Sequence, residues 1–105
     1  MITADGFLDL VQTECVLARA EHAPMTSLHE AHSIIMEEFE EFWDEIKKKH
    51  SAQDATKIIR ELIQVAAMTC CAVVDLQTQE EDFLKAFEMI RIEMEGKLRN
   101  LETST

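Results

Sequence analysis

Residues 37–45 read Glu37-Glu38-Phe39-Glu40-Glu41-Phe42-Trp43-Asp44-Glu45, and residues 60–64 read Arg60-Glu61-Leu62-Ile63-Gln64. Around the first stretch, Leu28, Ala31, Ile35, Phe39, Phe42 and Ile46 recur at intervals of three and four. That spacing predicts a helix with one face turned to a core. At about 100° per residue, Glu38 falls at the edge of the apolar stripe, with Glu41 and Glu45 beside it. Glu40 and Asp44 point away, and Glu37 sits between the two groups. Glu38, Glu41 and Glu45 succeed one another at one-turn spacing, so their side chains are expected to converge and repel. Two such stretches on neighbouring helices predict an all-α chain that carries its carboxylates along one seam.

The rest of the chain reads the same way. Phe7, Leu10, Val11, Cys15 and Leu17 or Ala18 predict a first helix over Asp5 to about Ala20. His22-Ala23-Pro24 ends it, because proline disfavours a helical predecessor. Thr26 or Ser27 caps the second helix, and Glu30 lies three residues beyond Ser27, a capping-box pattern. This helix is expected to reach about Lys49, with Lys47, Lys48 and Lys49 in a last turn whose dipole favours cations. Ser51-Ala52-Gln53-Asp54 leads into a third helix ending near Gln77. That helix is apolar on nearly all sides between Leu62 and Val74, and so is expected to be the most buried. A fourth helix covers about Glu80 to Leu101, with Phe83, Phe87, Ile90, Met94 and Leu98 as its stripe and residues 102–105 as a frayed tail. Short connections favour antiparallel neighbours, hence a four-helix bundle-like fold in a single domain over residues 1–105.

Composition narrows the function classes. With 105 residues, 47% of them apolar, the chain can build a modest core and gains from a partner. Two glycines and one proline leave few helix breakers. The net charge of −11 argues against nucleic acid or an anionic membrane as partner, since both require a basic face. Cys15, Cys70 and Cys71 show no zinc spacing and read as small buried hydrophobes in a reducing compartment. The N-terminus has no basic leader region, and no apolar run reaches membrane-spanning length. A cytoplasmic location is expected.

On the third helix Glu61, Gln64, Met68, Cys71 and Asp75 share one stripe. Glu61 and Gln64 are one turn apart, and Asp75 lies roughly 16 Å beyond Gln64 along the axis. If the second and third helices pack antiparallel, Glu38, Glu41 and Glu61 meet across the seam, with Gln64 beside them. Three carboxylates and an amide oxygen are hard ligands suited to Mg²⁺ or Mn²⁺, leaving positions for water and phosphate. Asp75 and Met68 then line one continuous groove. The bland alternative is a solvated acidic face.

These residues resemble the MazG-like all-alpha nucleoside triphosphate pyrophosphohydrolases, a family marked by EExxE on one helix and ExxD on the next. Glu37-Glu38-Phe39-Glu40-Glu41 matches the first motif in full. Glu61-Leu62-Ile63-Gln64 matches the second except that glutamine stands at its last position, and nineteen residues separate the two. The likeness covers about residues 28–76. It implies a four-helix fold assembled as a homodimer or homotetramer. It also implies Mg²⁺ held by Glu38, Glu41 and Glu61 with Gln64 at the fourth position, and cleavage of a (d)NTP to the monophosphate and pyrophosphate in nucleotide-pool housekeeping. Glu37 or Glu41 is the expected proton acceptor for the attacking water. The glutamine adds no charge, which leaves as alternative a non-catalytic helical interaction or nucleotide-sensing protein.

Lesser signals fill in the substrate side. Lys57 and Arg60 precede Glu61 and suit phosphate oxygens, or ion pairs with the acidic helix. His29, with His32 one turn on, stands at the start of the second helix and reads as a surface position or as a group at the groove entrance. Trp43 lies one turn beyond Phe39, at the margin of the apolar stripe, a place for an interface or for stacking on a base. Nothing in the sequence selects among nucleobases.

Overall fold

The computed structural model describes residues 1–104. Among them are four α-helices and no strand: α1 (Ala4–Glu21), α2 (Leu28–Ile46), α3 (Ala55–Leu76) and α4 (Phe83–Thr103), with one short 3₁₀ turn at His50–Ala52. Each of the first three helices starts at a side-chain cap. The Thr3 hydroxyl accepts from the Gly6 N–H, Ser27 from Glu30 and Asp54 from both Thr56 and Lys57. These bonds satisfy amide donors that a helix start otherwise leaves open. The Glu30 carboxylate turns to the Thr26 hydroxyl at 3.0 Å, so half of the expected capping box forms.

Register follows from three long-range contacts. Gln64 bonds Glu14, the Cys15 thiol faces the Ala67 carbonyl, and Arg19 pairs with Asp75. Rising numbers on α1 meet rising numbers on α3, so these two helices run parallel. Glu38 and Glu41, late in α2, lie against Glu61, early in α3, and Glu45 lies against Asp54. Hence α2 and α3 are antiparallel, as the short connection favours. α3 is the central helix and packs against both α1 and α2. It supplies Ala67, Met68, Cys71, Ala72 and Leu76 to a core completed by Val11, Cys15, Met25 and Ala31. The connection between α1 and α2 is tied down where the Met25 N–H donates to Asp75 at 3.0 Å.

Several expectations are corrected. α2 stops at Ile46, so the three lysines lie beyond it instead of in its last turn. The Glu45 carboxylate and the Gln53 side chain hold the turn that follows, through the Asp54 N–H and the Ile46 and Lys48 carbonyls. Leu28 and Phe39, placed in the core stripe, are half exposed, and of the three cysteines Cys70 is exposed. Glu102 and Thr103 continue α4 where a frayed tail was expected; Thr105 lies outside the described residues.

The largest departure is α4. Phe83 packs against the core, but Phe87, Ile90, Met94 and Leu98 of the same stripe are exposed. Among the described residues the buried core comes from α1, α2, α3 and Met25, and α4 touches it through Phe83. The radius of gyration is 16.7 Å, against about 13 Å for a compact domain of this length. Periodicity specifies that a helix has a face to cover; it does not specify what covers it.

Candidate functional site

Glu38, Glu41 and Glu61 each bring a carboxylate oxygen to within 4.8 Å of the others. The pairing of α2 with α3 makes this cluster: one turn of α2 supplies two of the acids, and the first half of α3 supplies the third. Glu61 is only 8% exposed, and its Oε2 has no hydrogen-bond partner among the described residues. A buried carboxylate oxygen left in that state is costly unless something outside the chain completes it.

Electrostatics report the same crowding. Burial, then the charges of Glu41 and Glu61, pushes the Glu38 carboxyl up to about 7. Burial, then the hydrogen bond and charge of Glu41, raises Glu61; a hydrogen bond with Glu38 and, after it, the Lys57 ammonium oppose the rise. Near neutral pH the cluster therefore retains a proton that separate carboxylates would have lost. The donors are all hard oxygens with one side open, which fits a small divalent cation and does not fit a soft metal.

Glu45 does not join this cluster, contrary to the expectation from the helical wheel. It is turned inward, 1% exposed, and accepts from Lys48 Nζ at 3.0 Å and the Asp54 N–H at 3.1 Å. Those two bonds hold its carboxyl below the usual range. The missed signal is Asp54: a helix start nine residues on places an amide donor within reach of Glu45.

The other singled-out residues divide in two. A cavity of about 510 Å³ runs from Glu37 and Glu38 past Gln64, Met68 and Cys71 to Asp75 and Arg19. Of the α3 stripe, Gln64, Met68, Cys71 and Asp75 line one groove, as their spacing suggests; Glu61 does not line it, and Glu38 is the member of the acidic cluster that reaches it. Asp75, however, is committed within the chain: it accepts from Arg19 Nη2 at 2.6 Å and from the Met25 N–H. Gln64 Nε2 donates to Glu14 Oε1 at 2.8 Å. Glu14 was not foreseen, because α1 carries no acidic pattern that marks it. Lys57, Arg60 and His29 do not line this cavity. Lys57 Nζ lies 3.8 Å from Glu45, Arg60 lines a second cleft between α1 and α3, and His29 is exposed. Trp43 is exposed on α2.

Among the described residues no helix is long and apolar enough to cross a membrane. No protein-family model matches the chain, and neither a curated protein nor a solved structure matches it.

Proposed function

We propose that this chain is a MazG-like, Mg²⁺-dependent nucleoside triphosphate pyrophosphohydrolase of the cytoplasm. The observation that carries the reading is the Glu61 Oε2, buried and without a hydrogen-bond partner among the described residues, on a carboxylate that lies with those of Glu38 and Glu41 in a cluster whose oxygens are within 4.8 Å of one another. Glu38, Glu41 and Glu61 would hold the cation, and Gln64 adds a neutral oxygen one turn from Glu61. The cation, Mg²⁺ or Mn²⁺, supplies charge neutralisation for the triphosphate and acidifies an attacking water.

The chain's own residues do the rest. Water oxygen attacks the α-phosphorus, the bond to the bridging oxygen of the β-phosphate breaks, and pyrophosphate leaves with that electron pair. Glu37, exposed next to the cluster, or Glu41, the exposed member of it, accepts the proton of the water. The cavity leading away from Glu38 receives the nucleoside, with Met68 as part of its wall.

The exposed stripe of α4 with Trp43 supports assembly as a homodimer or homotetramer, since apolar surface of that extent is covered in stable proteins. Light scattering should give a mass of two or four chains. A monomer at micromolar concentration rejects the assembly.

Pyrophosphate release from a panel of dNTPs with Mg²⁺ or Mn²⁺ tests the activity. No turnover of any nucleotide, with no metal-dependent rise in melting temperature, sinks the enzyme. The use of Gln64 on Glu14 favours one second reading, a nucleotide-sensing protein that binds without hydrolysis. Metal-dependent nucleotide binding without pyrophosphate release would establish it.

A further inference from the structure

The cavity beside the cluster is as acidic as the cluster itself. Glu14, Glu37, Glu38 and Asp75 all reach its wall, together with the exposed Glu21 and Glu30 at its mouth. Among the described residues Arg19 is the one permanent cation lining it, and Asp75 holds the Arg19 guanidinium at 2.6 Å. The apolar part of the wall, Ala18, Met25, Ile34 and Met68, can receive the face of a flat ring. The carboxylates at this end outnumber Arg19 and His22, so an anionic group meets net negative charge there. The phosphates therefore belong at the cluster, and the organic end of the ligand belongs here.

Glu14 sets what that end must offer. It is half-buried, its Oε1 accepts from Gln64, and its Oε2 accepts from no group among the described residues. Gln64 makes this arrangement tolerable: an aspartate at position 64 would set a second negative charge against Glu14. The pair also stands between the larger cavity and the second cleft of about 490 Å³, since both residues line both spaces. A ring pushed toward this wall meets a carboxylate oxygen with capacity to accept.

We infer that Glu14 selects a nucleobase with an exocyclic amino group on its pairing edge, a 4-aminopyrimidine or 6-aminopurine, over one with a carbonyl there. An amino group donates to the carboxylate. A carbonyl oxygen in the same place faces it acceptor to acceptor in a partly desolvated site, which is repulsive. Sites built on a hydrogen bond to the ligand discriminate more sharply than apolar pockets do. The inference rests on the reading of the cluster as a nucleotide site and adds the base class to it.

The test is kcat/KM for pyrophosphate release from dCTP, dATP, dUTP and dTTP with Mg²⁺, beside calorimetric binding of dCMP and dUMP. The amino-bearing pair is expected to exceed the carbonyl-bearing pair by about 10- to 100-fold. Glu14→Gln, whose amide can turn to donate, should bring the four within about threefold by raising dUTP and dTTP. Glu14→Ala should lower dCTP and dATP without raising the others. Equal turnover of all four, or preference for dUTP and dTTP, overturns the inference and leaves the nucleotide site standing. So does an unchanged ratio in Glu14→Gln. Absence of turnover and of binding for every nucleotide overturns both.

Discussion

Glu45 and Glu61 are both shielded from solvent, on adjacent helices of one seam, and the chain treats them differently. Glu45 accepts from an ammonium and a backbone amide, and its charge is welcome. Glu61 sits against two further glutamates, with one oxygen unpartnered among the described residues and its proton held more tightly than usual. Burial alone therefore does not mark a functional acid. The difference lies in whether the chain completes the group's bonding: Glu45 ties α2 to the start of α3, and Glu61 is left with an oxygen that no described residue satisfies and that the proposed cation would complete.

The sharpest way to break this comparison is to neutralise each acid in turn. Glu61→Gln should lower pyrophosphate release by about 100-fold or more and abolish the Mg²⁺-dependent rise in melting temperature. Its metal-free fold should be no less stable. Unchanged turnover would remove Glu61 from the site. Glu45→Gln should do the reverse, lowering the melting temperature by on the order of 5–10 °C while the increment from Mg²⁺ persists. If that variant melts like the parent, the structural role assigned to Glu45 is wrong.

Smaller effects follow from pH. Folding raises the Glu38 carboxyl from 4.5 to about 7, so between these values the folded chain binds a proton that the unfolded chain has lost. Stability without metal should then fall as pH rises through that window. Glu45 acts oppositely: with a lowered value, its contribution is present above the ordinary range and is lost as pH falls through the folded value. Melting in chelator should drop by a few degrees, about 2–5 °C, from pH 5 to pH 8. Glu38→Gln should flatten that drop and weaken Mg²⁺ binding about tenfold. A metal-free melting temperature that climbs steadily across the window contradicts the crowding of the cluster. The smallest change is expected from Gln64→Asp. It should tighten Mg²⁺ by less than about tenfold, since the added charge also faces Glu14. Metal affinity identical to the parent would take Gln64 out of the coordination sphere.

Helical periodicity made much of this molecule legible. The stripe around Glu38 and the caps at Ser27 and Asp54 place α2 and α3, and their antiparallel pairing follows from a short connection. Glu38, Glu41 and Glu61 then meet, because two carboxylates on one turn and a third on a facing turn have one seam to share. The wheel misjudged Glu45, since angle alone does not register the Asp54 amide at the end of the next turn. It also placed the stripe of α4 in a core that closes without it.

By itself the sequence determined which segments are helical, which face of each is apolar, and which carboxylates lie one turn apart; all three are properties of contacts within a few residues. Tertiary structure alone decided that Glu14 meets Gln64 across fifty positions, that Asp75 is consumed by Arg19 and Met25, and that Glu61 keeps an open oxygen. The physical reason is that a polar group's role depends on whether its partners are present. Those partners come from other helices, whose register is set by packing.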